Sequence, residues 1–105
     1  MSQSVEQLIT ERKLPVQERA RRVAAAVVEE LRKTCRFYLE AGEPFVYLPA
    51  EDRLVLISPK NHSYRQLIYS VGVQPRCEPE VWERVLVEIT KEAYDQDADR
   101  RRNGR

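Results

Sequence analysis

Residues 36–71 read RFYLEAGEPFVYLPAEDRLVLISPKNHSYRQLIYSV, and the fold turns on a change of period inside this stretch. Phe37 and Leu39, then Phe45 and Tyr47, recur at the two-residue period of a strand, whereas Tyr64, Leu67, Ile68 and Val71 recur at helical spacing. The period switches near Ser58. The stretch therefore reads as a three-strand meander running into a short amphipathic helix.

Turn residues divide the meander. Ala41-Gly42-Glu43 separates a strand over 35–40 from one over 44–48, and Gly42 supplies the positive φ that a tight hairpin needs. Pro49 closes the second strand and Ala50-Glu51-Asp52 makes the second turn. The third strand, Arg53 to Ile57, carries the unbroken apolar run Leu54-Val55-Leu56-Ile57, which predicts burial on both faces and a central place. Ser58, Asn61 and Ser63 are all candidate caps for the helix that follows, and Gly72 suits its left-handed end.

Upstream, Ser4 and Gln7 have capping-box spacing ahead of Val5, Leu8 and Ile9, which predicts a short helix over about residues 4–12. Leu14-Pro15 interrupts it, and Pro15 is expected early in the next helix, which runs to about Lys33. Val16, Ala20, Val23, Val27 and Leu31, with Ala24 and Val28 beside them, form one apolar stripe, and the small residues 24–26 allow close approach to a sheet. Downstream, Glu78-Pro79-Glu80 opens a last helix that buries Trp82, Val85, Leu86, Ile89 and Ala93. After Tyr94 the sequence DQDADRRRNGR has no large apolar anchor, so the helix is expected to fray there.

These elements amount to an α+β chain: a three-stranded antiparallel β-meander packed against N-terminal and C-terminal helices. At 105 residues a single core is expected. The divisions are an N-terminal helical extension over 1–14, one α+β domain over 15–95 and a flexible basic tail over 96–105. No stretch is apolar enough for a membrane span, and nothing at the start reads as a secretory signal, which sets cytoplasmic as the expected location.

Net charge is +1, from 18 Lys plus Arg against 17 Asp plus Glu, so no global field draws in a polyanion and any nucleic-acid contact needs a local patch. Arg12, Lys13, Arg19, Arg21 and Arg22 gather early and Glu78, Glu80, Glu83, Glu88 and Glu92 late. The early cluster reads as a charged, solvated helix face, and Arg100, Arg101, Arg102 and Arg105 as a solvated end. Cys35 and Cys77 lack the spacing of a zinc site and read as free thiols.

Little in the chain reads as catalytic machinery. His62 is the sole histidine and has no partner at a recognised spacing, and no GxSxG, GxGxxG or Walker sequence is present. Glu51-Asp52 is better explained as a turn than as an acid–base pair. No enzymatic activity, cofactor, metal or small-molecule substrate is implied. The segment 60–65 is the best candidate for ligand contact, because cations, amide and hydroxyl donors and an aromatic ring gather where a helix N-terminus presents free N–H groups. Lys60, His62, Tyr64 and Arg65 are the candidate nucleic-acid-binding residues. The five tyrosines, at 38, 47, 64, 69 and 94, offer stacking surfaces, although alternation turns some of them inward.

Arg36-Phe37-Tyr38-Leu39, then Glu43 to Pro49, the strand Arg53 to Ile57, the helix start from Ser58 to Leu67 and the terminal helix Pro79 to Ala93 follow one another in a recognisable order. In that order the chain resembles the small accessory domain upstream of the ATPase in phage and plasmid helicase–primases of the poxvirus type. Phe45 to Pro49 and Ser58, Tyr64, Arg65 and Leu67 stand where those proteins carry an aromatic strand and a basic, aromatic helix. No Walker sequence follows, so the resemblance does not extend to ATPase or helicase activity. It implies a non-enzymatic accessory domain in mobile-element DNA replication that binds DNA or docks replication proteins. The competing expectation is an interaction or self-association module, using the N-terminal helix or an open strand edge.

Overall fold

The computed structural model describes residues 15–103. The helix expected over 4–12 lies outside the described residues. The order of elements is α1 (Val16–Thr34), β1 (Arg36–Glu40), β2 (Glu43–Leu48), β3 (Arg53–Leu56), α2 (His62–Val71) and α3 (Pro79–Asn103). The strands form one antiparallel sheet in the order β1-β2-β3, with helices packed on it from both ends of the chain, so the α+β meander stands as read.

Register assigns the faces. Phe37 lies opposite Val46, and Val46 opposite Val55, so these three form a row across the inner face. All three are buried, with Leu48 and Ile57 on the same side. Against this face pack Val81, Val85, Ile89 and Ala93 of α3 and, behind them, the α1 stripe from Ala20 to Leu31. The small residues of α1 therefore serve close contact with a helix more than with the sheet. Arg19 pairs with Glu78, just before α3, and Arg32 pairs with Glu92 further along, so α1 and α3 run parallel.

Two expectations about the strands and two about α1 change. β3 is an edge strand, not a central one, and Leu54 is 48% exposed. The apolar run that predicted burial on both faces instead places Val55 inward and Leu54 outward. Pro15 sits just before α1, with φ −56° and ψ 151°, outside the helix proper. Arg19, read as part of a solvated face, is 9% exposed and faces α3.

The end of α3 differs most. Residues 96–103 continue the helix that the composition had ending near Tyr94. Ion pairs Asp97–Arg101 and Asp99–Arg102 support the last turns at helical spacing, and arginines there complement the negative end of the dipole. Gln96 and Arg100 also reach β1. The Phe37 N–H donates to Gln96 Oε1 at 3.1 Å, and Arg100 donates to the Phe37 carbonyl at 2.7 Å. The outer edge of β1 is thus occupied by side chains at Phe37.

Local chemistry explains the turns. Ala41 and Gly42 both have positive φ, 54° and 81°, as a two-residue hairpin of the primed type requires. The second turn carries Asp52 at φ 49° and is closed by Glu51 N–H on Leu48 O at 3.1 Å. Ile57 donates to the Pro44 carbonyl, but Pro44 has no N–H to return, so the β2–β3 ladder stops at Leu56. Asn61 then caps α2: its Oδ1 accepts from Ser63 N–H at 3.1 Å, while its Nδ2 donates to Leu56 O at 2.8 Å. Among the described residues no helix is long and apolar enough to cross a membrane.

Candidate functional site

The four residues singled out around the α2 start do not form one surface. Lys60, His62 and Arg65 are exposed, but Tyr64 is 1% exposed and belongs to the core with Ile68. Helical geometry separates them, since 64 and 68 share the inward stripe that 62, 65 and 66 leave. His62 Nε2 lies 3.4 Å from the Gln66 amide nitrogen, and the Arg65 guanidinium sits 5.8 Å from the Trp82 ring centroid. Lys60 donates its backbone N–H to Ser58 Oγ. The correction is therefore to Tyr64, whose ring cannot stack on a base without unfolding the core.

A more coherent surface lies on the outer face of the sheet. Register places Tyr38 beside Phe45 and Phe45 beside Leu56 in one row, and Arg36, Tyr47 and Leu54 in the next. None of these side chains belongs to the buried core. The Tyr38 and Tyr47 rings meet edge to face at 6.4 Å, and the Arg100 guanidinium lies 4.3 Å from the Tyr38 ring centroid. Tyr47 donates its hydroxyl to Asp52 Oδ1 at 2.5 Å, and this bond to a carboxylate holds the phenol above its usual pKa. Arg36 and Arg100 supply positive charge at one end of the face, and Glu40 and Glu43 negative charge at the hairpin end.

Sequence reading missed this face as a unit. The signal was present in the phase of alternation, because 36 and 38, 45 and 47, and 54 and 56 share one side once the two turns fix the register. Only the assumption that β3 was central concealed it.

A second concavity lies between the start of α2 and the start of α3. It is a half-open cleft of about 470 Å³ walled by Pro59, Pro75, Pro79, Trp82, Leu86 and Cys77. Tyr64, Arg65 and Glu83 complete its lining. Trp82 is held in place, its indole N–H donating to the Gln74 carbonyl at 3.2 Å and its ring meeting Tyr69 edge to face at 5.5 Å. The Tyr64 hydroxyl is the one buried side-chain polar atom among the described residues that lacks a hydrogen-bond partner. Burial pushes its pKa up, and leaving such a group unsatisfied costs about 1–3 kcal/mol.

Both cysteines are free thiols, Cys35 buried and Cys77 half-buried. Among the described residues no group of three His, Cys, Asp or Glu side chains could hold a metal ion. The chain is thus defined as an α+β domain whose open sheet carries an aromatic outer face and whose helix starts flank a cleft. No family model, curated protein or solved structure matches it.

Proposed function

We propose that this chain is a non-enzymatic accessory domain of a DNA-replication system of the primase–helicase, mobile-element kind, and that it binds single-stranded nucleic acid. The observation that carries this reading is the outer face of the sheet, where Tyr38, Phe45 and Tyr47 lie together with Arg36 and Arg100 beside them. Aromatic rings on an open sheet stack on unpaired bases regardless of sequence, and guanidinium groups nearby take the backbone phosphates. The resemblance of the segment order to helicase–primase accessory domains supports the same assignment. Lys60, His62 and Arg65, exposed at the α2 start, add a second polar surface.

The alternative is a protein-docking face, favoured by Leu54, exposed at the free edge next to Leu56. The two readings part in a titration of the purified chain against labelled single- and double-stranded DNA at about 50 and 200 mM salt, because phosphate contacts make affinity fall steeply with salt. Salt-sensitive binding that prefers the single strand and weakens in Tyr47→Ala supports the nucleic-acid reading. Binding lost only in Lys60→Ala/Arg65→Ala moves the contact to the α2 start. No binding at low salt makes partner docking the leading reading.

A further inference from the structure

We infer that the cleft between the α2 and α3 starts binds a free α-amino acid with an apolar side chain. Its volume, about 470 Å³, falls within the range of small-molecule sites, and its walls are mostly apolar and rigid, as such sites are. Three prolines restrict the backbone around it, and two contacts fix the Trp82 indole, so little ordering is required on binding.

The polar groups define the ligand. Arg65 and Glu83 line the same cleft, yet among the described residues neither forms an ion pair, with the other or elsewhere. Both are exposed, and Arg65 lies 5.8 Å from the Trp82 ring centroid, so the lining offers one positive and one negative group, which match a ligand that carries both charges. An α-amino acid does so on one carbon. Its carboxylate accepts from the Arg65 guanidinium at the cleft. Its ammonium donates to Glu83, and its side chain fills the space against Trp82, Leu86 and the prolines. A simple anion would meet Glu83 and a simple amine would meet Arg65, each with an unfavourable charge.

This site is independent of the sheet face, so its test and the DNA titration fail separately. Trp82 is the single tryptophan of the chain and reports on the cleft without a label. The full chain is titrated with L-leucine and L-phenylalanine up to roughly 10 mM while Trp82 emission and melting temperature are followed. A saturable change in emission is expected, with N-acetyl-L-leucine and L-leucinamide each bound about tenfold more weakly. Arg65→Ala and Glu83→Ala, both at exposed positions, are each expected to bind about tenfold more weakly with the melting temperature unchanged, which separates loss of a contact from loss of the fold. No saturable response to either amino acid, or equal binding of the capped derivatives, overturns the proposal.

Discussion

Glu92 on α3 receives the Arg32 guanidinium of α1 at two points, 2.6 and 2.9 Å, and its Oε2 also accepts the Gln96 amide at 2.9 Å. Gln96 in turn accepts the Phe37 N–H, so one hydrogen-bonded chain links α1, α3 and β1. Glu92 is 9% exposed, whereas the Arg32 side chain is about half exposed, so the pair lies at the border of the core.

This network makes stability depend on acid. The hydrogen bonds from Arg32 hold the Glu92 carboxyl below its ordinary value of 4.5, outweighing the opposing effect of burial. A lowered native pKa gives stabilisation that is full above the unfolded value and fades as pH falls through the native one. The chain should therefore lose stability below about pH 4.5, and Glu92→Gln should flatten that dependence while costing about 1 kcal/mol at neutral pH. Urea midpoints measured across pH 3–7 for both proteins test it. Parallel curves would dismiss the network as a contributor.

Removal of residues 96–105 should be felt at the β1 edge of the sheet. Truncation takes away both groups that bind the Phe37 backbone, leaving that part of the β1 edge unpaired. We expect a loss of about 1–3 kcal/mol together with faster aggregation on warming. An unchanged melting temperature and clear solutions would show that the last turns of α3 contribute nothing to the edge.

At the first hairpin, Ala41 holds φ 54° without the glycine or asparagine that such a position favours. Ala41→Asn should raise stability by about 0.5–1 kcal/mol. Gly42→Ala should lower it by about 1 kcal/mol through the backbone alone, because no atom lies within 4 Å of the added methyl. Denaturant melts of the two variants should shift in opposite directions, and a shared direction would contradict the turn geometry.

Much of the fold was readable because the physics was local. The α1 stripe from Ala20 to Leu31, the positive φ of Gly42 and the end of α2 at Gly72 each depend on near neighbours, and each stands where the sequence placed it. What escaped was set at long range. Whether Leu54 faces water depends on which strand takes the centre, and the last turns of α3 combine local Asp–Arg pairs with the contacts of Gln96 and Arg100 to β1, about sixty positions earlier. Of the four candidate contact residues Tyr64 alone lies in the core, for the converse reason. Tyr64 belongs to a helical stripe that was itself legible, and its burial could have been given more weight than the polar company of Lys60 and Arg65.

Tyr64 also offers a test of the cost of an unpaired phenol. Without bound ligand, Tyr64→Phe removes a buried oxygen that has no partner, and the melting temperature should rise, by the equivalent of about 1 kcal/mol. Binding of single-stranded DNA should be unaffected, since the ring is in the core. A destabilised variant would point to an ordered water satisfying the hydroxyl.

The two borders of the sheet are chemically unlike. β1 is closed at Phe37 by Gln96 and Arg100, whereas β3 keeps an outward side where Asn61 covers only the Leu56 carbonyl. Strand addition is consequently favoured at β3 over β1. Two such chains meeting through β3 in a twofold arrangement would use both open borders and turn outward β1, where Gln96 and Arg100 already hold the Phe37 N–H and C=O, which disfavours growth beyond a pair.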